Sequence, residues 1–306
     1  LGPCQQLGYL DSMRSGPSLF LEPMEVEGRN ALERPQPIIV IELFPEILGE
    51  LLDLLTSLST EDRQKSTVCP GWTVMDVALH LLGVEVGNLS LRRDGHALDA
   101  SITSWDELVT FINNWNQDWV QAARRMSPRL LIDLLQFTGA QLCEYFQSLD
   151  PYALGGPVSW VGPEPTPVWL DLAREYTERW HHQQHIRDAV DKPGLKQPRY
   201  FAPVLATFAW ALPRAYCSVE APDNTAVTLS ITGESGGRWS VKREDKAWRL
   251  YAGTPDQPDA EVALNDDVAW RLFTRGLDLD EALDQMTVIG NRELGLKVLG
   301  MVSIIA

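Results

Sequence analysis

The sequence predicts an α+β protein, with a helical bundle followed by a smaller α+β domain. Apolar residues recur at helical spacing through roughly the first two thirds of the 306-residue chain. After about residue 198, short β-like runs separated by glycine-containing turns replace them. Hydrophobic residues make up 44% and charged residues 22%, the balance of a globular chain long enough to bury a sizeable core. The expected division is an irregular arm over 1–36, a helical bundle over 37–197 and the α+β domain over 198–306.

The elements follow in order. The run from Ile38 to Leu58 is apolar at helical spacing, with Pro45 tolerated near a helix start. Thr73 and Asp76 have the spacing of a capping box and open a helix that reaches about Arg92. Ser104 to Met126 reads as a third helix, with Trp105, Leu108, Ile112, Trp115 and Trp119 on one side. Ser127-Pro128 starts a fourth, proline taking the first helical position, and it runs to about Leu149. Residues 151–168 hold five prolines and three glycines and read as a loop. Another helix spans Trp169 to Val190, ended by Pro193 and Gly194. Residues 199–217 read as helical. Strands are expected over Ala226–Thr232, Arg238–Arg243, Trp248–Ala252 and Glu261–Leu264. Gly233, Gly236-Gly237 and Asp245-Lys246 supply turns, and Gly233 to Gly237 reads as a hairpin turn rather than a phosphate cradle. Helical runs over Asp266–Arg275 and Arg292–Ile304 close the chain.

Composition excludes some partners. Lys plus Arg number 26 against 42 for Asp plus Glu, a formal charge of −16. Nucleic acid and anionic membrane need clustered positive charge, so neither is expected. The paired arginines Arg92-Arg93 and Arg124-Arg125 are the candidates for a local basic patch. Cys4, Cys69, Cys143 and Cys217 form no CxxC pair, and they read as buried or idle thiols in a reducing cytoplasm. With no run of 18 or more apolar residues, no transmembrane helix is expected. A cytoplasmic protein acting on a small molecule is the expectation.

The chemistry gathers around histidine. The chain has five, His80, His96, His181, His182 and His185, and three fall within HHQQHI. On a helix turning about 100° per residue, with Glu178 at zero, His182 lies at about +40° and His185 at about −20°. Glu175 falls at about +60° and His181 at about −60°, so a stripe about 120° wide holds two carboxylates and three imidazoles. Glu178 and His182 stand one turn apart, and carboxylate oxygen with imidazole nitrogen suits a divalent metal. His181 and His185 form a second such pair, so spacing alone leaves the ligand set open. His80, mid-helix among apolar residues, is the natural third ligand from a facing helix. The competing readings are a satisfied core histidine at position 80 and a solvated charged face around 181–185. Trp160, Trp169 and Trp180 are candidates to line a pocket or, equally, to fill a core.

Two segments carry a family resemblance. CPGWTVMDVALHLLGVE (Cys69 to Glu85) has a tryptophan, a capped helix and a histidine in the context Asp76, Val77, His80, Leu81. The second segment has Glu178, His182, Ile186 and Arg187 in the pattern E-x-x-x-H-x-x-x-I-R. Together they resemble the mycothiol-dependent maleylpyruvate isomerase family, a branch of the DinB-like metal-binding four-helix bundles. The resemblance implies a DinB-like N-terminal bundle, a sterol-carrier-like α+β domain, and a divalent metal on His80, Glu178 and His182. That metal is zinc or, alternatively, nickel, and mycothiol or another small thiol is the implied co-substrate. The usual pattern is H-x-x-D-I-R, and here His185 stands at the aspartate position, as a fourth ligand, a supporting partner or a proton carrier. The family also places an arginine near its metal, for which Arg92, Arg93, Arg124 and Arg125 are candidates.

Three functions follow as expectations. The first is a thiol-dependent isomerase or transferase, in which the metal holds a small thiol as thiolate. The second is a metal-assisted hydrolase of a small molecule, with Glu175 or His185 as general base. The third is a non-catalytic binding protein braced by its metal. Glu175 is also read as a support for the ligands or a helix-surface charge.

Overall fold

The computed structural model describes residues 32–96, 102 and 104–303, so the expected arm over 1–36 falls almost wholly outside the described residues. The chain divides into two compact units. One comprises Pro37–Val158 and Pro165–Thr207, and the other Ser159–Glu164 and Phe208–Ser303 with residues 32–36.

The first unit is helical. α1 (Leu43–Thr56) carries Pro45 in its first turn, where no intrahelical N–H is lost. α2 (Thr60–Gln64), a single turn with its own capping box from Ser59 and Asp62, has too little apolar periodicity to be read from sequence. α3 (Val74–Asn88) opens on the expected box: Asp76 N donates to Thr73 Oγ1 at 3.3 Å and Thr73 N to Asp76 Oδ2 at 3.0 Å. It continues as one π-helical turn over Leu89–Arg93. α4 (Trp105–Ala123) is capped by Ser104, and α5 (Pro128–Ser148) by Ser127 with proline at its start. Trp115 does not join the buried side of α4. It is half exposed and stacks on Phe111 at 5.8 Å, while Trp119 donates to the Leu79 carbonyl at 2.8 Å. A Cβ on Gly83 would sit 2.6 Å from the Trp119 ring, so glycine is what lets α4 approach α3 there.

The 151–168 segment is more ordered than the expected loop. β1 (Leu154–Pro157) and β2 (Pro165–Pro167) pair antiparallel as a short ribbon. Proline is tolerated because each strand has a free edge. α6 (Val168–Val190) follows and ends at Asp191, which takes a left-handed φ of 54°. α7 (Pro198–Phe208) completes the unit.

α3 lies at the centre of this unit, in contact with α4, α5 and α6. Val74, Val77, Leu81 and Leu82 bury against Leu51, Leu54 and Leu55 of α1, Leu131 and Leu135 of α5 and Ile186 of α6. Each fully buried Leu, Ile or Val contributes about 1.5–3 kcal/mol. One described helical stretch, Val74–Arg93, is long and apolar enough by length and composition to cross a bilayer, and more than half of its apolar window is buried inside the protein, as in a core helix surrounded by others.

The second unit is α+β. The 3₁₀ turn Ala209–Ala211 and α8 (Leu212–Ala215, with Pro213) fill the rest of the stretch read as one helix over 199–217. β3 (Ala226–Thr232), β4 (Gly237–Glu244), β5 (Ala247–Ala252), β6 (Ala260–Asn265) and β7 (Thr287–Gly290) form a sheet in the order β5-β4-β3-β6-β7. Only the β3–β6 pair is parallel. Asp245 and Lys246 take φ of 50° and 66°, the hairpin geometry that joins β4 to β5. α9 (Asp266–Phe273) matches the expected helix. α10 (Leu279–Asp284) and β7 carry no pattern that was read. The last run is shorter than expected: α11 (Arg292–Gly295) passes into a 3₁₀ turn at Leu296–Gly300.

Candidate metal centre

α6 is rich in polar residues yet buried along most of its length. Each buried polar group then needs a partner, and the partners divide the helix into regions. Gln183 donates to the Ile47 carbonyl at 2.7 Å, Gln184 to Gly194 O at 3.1 Å, and Arg187 to Glu50 at 2.9 Å. These bonds fix the rotation of α6 about its own axis and so aim its histidines.

At the middle of α6 the structure brings His80, Glu178 and His182 together. His80 Nε2 lies 3.0 Å from Glu178 Oε1, and His182 Nε2 lies 3.2 Å from the same oxygen. One ligand atom from each of the three falls within 4.8 Å of the others. On a tetrahedral cation with bonds near 2.0–2.1 Å, neighbouring donors stand about 3.3 Å apart, so the observed spacings fit. His182 Nδ1 is buried with no hydrogen-bond partner. The imidazole and carboxylate donors suit a borderline metal such as zinc; the unpartnered Nδ1 is the other ring nitrogen of His182, not the one beside Glu178.

The charges are tuned for the same purpose. Burial opposes ionisation of Glu178, but the His182 and His80 imidazoles outweigh it and hold its carboxyl well below the ordinary value. Burial, with repulsion from His181, drives His182 down to about 3. The pair is thus anionic oxygen beside neutral nitrogen, the forms that bind a cation. His181 does not join His185 in either converging donor group. Its Nδ1 carries a proton to the Thr177 carbonyl at 2.8 Å, because a carbonyl can only accept. Trp72 packs its ring 5.1 Å from that of His80 and donates to Gln117 at 2.8 Å.

Glu175, one turn earlier, is in a different setting. Arg179 and Arg174 bond its carboxylate at 2.7 and 2.6 Å, Asn88 donates at 3.0 Å, and Arg92 stands at 3.4 Å. Burial would raise its pKa, but the three guanidiniums bring it to about 2. A carboxylate so strongly paired is a poor proton acceptor near neutrality, and its setting is that of a buried ion-pair network. The π-helical turn at 89–93 places Arg92 here, where it also pairs with Asp171.

Two of the remaining arginine candidates are also committed to acids, and the third, Arg125, is exposed. Arg93 bonds Asp94, and Arg124 grips the capping carboxylate of Asp76 at 2.8 and 3.0 Å. Trp180 is core: it stacks on Phe201 at 4.5 Å and donates to the Leu195 carbonyl at 2.8 Å. Trp169 and Trp160 are buried as well.

Sequence reasoning missed Cys69. Read as idle, its Sγ lies 3.2 Å from His185 Nδ1. Burial pushes the thiol up to about 11. The signal was its place four residues before the cap of the helix that carries His80. Gly71, at φ +76°, makes the turn between them.

A family model described as the mycothiol maleylpyruvate isomerase N-terminal domain matches residues 44–187. Among solved structures, a crystal structure of the mycothiol-dependent maleylpyruvate isomerase is similar at 15% identity and a TM-score of 0.47, over 81% of this chain and 90% of that one. A histidine-to-alanine variant of that enzyme is similar at 15% identity and a TM-score of 0.43, over the same shares. No curated protein sequence matches the chain significantly.

Proposed function

We propose that the chain is a metal-dependent enzyme using a small thiol, a member of the family whose N-terminal domain model, mycothiol maleylpyruvate isomerase, matches residues 44–187. Mycothiol or a close analogue would be the co-substrate, and the reaction an isomerisation or sulfur transfer on a small electrophile such as maleylpyruvate. The observation that carries this reading is the convergence of His80, Glu178 and His182 within 4.8 Å. Three protein donors leave a position for an outside ligand, which is how catalytic rather than structural sites are built. A divalent cation held there, zinc or nickel, supplies the means to keep a thiol as thiolate beside the electrophile.

The chain's own residues do the rest. Glu178 provides the single negative charge, and His80 and His182 provide imidazole nitrogens. The Trp72 ring, against His80, fixes the plane of that imidazole and covers it from water. His185, with its ring 5.2 Å from that of His182, is the group placed to carry the proton that an incoming thiol releases. Glu175 anchors the preceding turn of α6.

The test is an isomerisation assay on maleylpyruvate with and without mycothiol. Turnover that requires the thiol and vanishes in Glu178→Gln supports the reading. Turnover of esters or amides with no thiol present contradicts it and favours a hydrolase.

A further inference from the structure

A second group of donors lies beside the first. One ligand atom each from Cys69, His182 and His185 falls within 4.8 Å of the others, with His182 common to both groups. Cys69 is held in place by its loop rather than left to chance. Thr67 N donates to the Trp72 carbonyl at 3.1 Å, Val74 N to Lys65 O at 2.9 Å, and Cys69 N to Thr67 Oγ1 at 3.2 Å. His182 and His185 lie one turn apart on α6, with rings 5.2 Å apart and nearly perpendicular. For bonds of about 2.3 Å to sulfur and 2.0–2.1 Å to nitrogen, the edge of a tetrahedron spans about 3.5 Å. The 3.2 Å from Cys69 Sγ to His185 Nδ1 is close to that edge.

We propose that Cys69, His182 and His185 form a sulfur-bearing donor set that takes a thiophilic divalent cation as an alternative to the carboxylate set. The chemistry differs from that of His80, Glu178 and His182 in one respect that decides selectivity. A thiolate prefers softer metals, such as cadmium or cobalt over magnesium or manganese, whereas a carboxylate does not discriminate in that direction. On binding, the Sγ–H bond breaks, a metal–sulfur bond forms, and the proton leaves to solvent. His185 makes the set possible: aspartate, the family's usual residue at that position, would give a harder oxygen donor in its place. An ion held by this set occupies His185 and removes it from proton transfer, so a soft metal bound here inhibits the activity proposed above.

The two sets share His182 but can be tested apart, since Glu178→Gln ends the thiol-dependent activity and leaves all three of these donors intact. The experiment is a cobalt titration of the full chain, read by the near-ultraviolet sulfur-to-cobalt charge-transfer band. In Glu178→Gln the band should appear and saturate at one equivalent of cobalt. Adding Cys69→Ser should remove the band and weaken cobalt binding by more than about 100-fold, beyond the loss typical of removing a mere supporting partner. Circular dichroism confirms that each variant folds, and His185→Ala in the same background is the second arm, expected to weaken the band and the affinity together. Absence of the band in Glu178→Gln overturns the proposal. So does a band that survives Cys69→Ser, which would assign it to another cysteine.

Discussion

Glu175 and Glu178 stand on the same helix, one turn apart, and have opposite surroundings. Glu175 meets Arg92, Arg174 and Arg179 and accepts a further bond from Asn88. Among the described residues Glu178 pairs with imidazoles, from His80 and His182, with His181 Nε2 at 4.0 Å. Both are held ionised, for different reasons. Guanidiniums are permanent cations, so they neutralise Glu175 and lock α6 to α3. The imidazoles also donate to Glu178, but unlike a guanidinium an imidazole can give up its N–H and present a lone pair, so these partners can become ligands when a cation arrives. The difference teaches that a buried carboxylate marks a candidate site when its neighbours can exchange a proton for a lone pair.

The largest expected effect breaks the Glu178 half. His182→Ala removes a donor common to both sets and should cost more than about 100-fold in metal affinity, seen by competition with a chromogenic chelator. Thiol-dependent turnover should be lost with it.

Next comes the Glu175 half. Glu175→Gln leaves buried guanidiniums without their counter-charge and should destabilise the fold by about 3–5 kcal/mol in denaturant unfolding. Metal content should be unchanged. A variant that unfolds no more easily and loses its metal would reverse the assignment of the two residues.

A third buried carboxylate sharpens the contrast. Glu85 on α3 accepts from Thr138 at 2.5 Å, and burial raises its pKa to about 7, with Arg179 too weak an influence to prevent it. Its folded value therefore exceeds its ordinary value of 4.5. The stability this contributes is complete below about pH 4.5 and is lost as the pH rises through about 7, about 3 kcal/mol in all. Glu85→Gln should flatten that part of the stability–pH curve, measured by urea unfolding at steps from pH 4.5 to 8. An unchanged slope would place the titration elsewhere.

The smallest effect tests the cap that aims α3. Thr73→Ala should cost about 1 kcal/mol of stability in thermal unfolding and leave metal content unchanged.

Much of this was legible in the residues because local rules decided it. The Thr73–Asp76 box set the start of α3, and Ser127-Pro128 that of α5. The Asp245-Lys246 pair fixed the β4–β5 hairpin. The 100° wheel placed Glu178 and His182 on one stripe, and apolar neighbours put His80 in the interior. What was not legible depended on partners distant in sequence. Nothing local told Glu175 from Glu178, because the distinction comes partly from Arg92 on another helix, delivered by a π-helical turn. Trp115 fits the apolar side of α4 by spacing, yet it stacks on Phe111 of its own helix and stays half exposed. Cys69 carried no motif of its own, and only the turn at Gly71 brings it to His185. β7 and α11 are short, and short elements are held by tertiary contact more than by propensity.

The most direct measurement is metal content by mass spectrometry of wild type, Glu175→Gln and His182→Ala, each loaded with zinc and dialysed in parallel. One zinc per chain in wild type and Glu175→Gln, and none in His182→Ala, is the predicted result. Zinc retained by His182→Ala, or lost from Glu175→Gln, would contradict it.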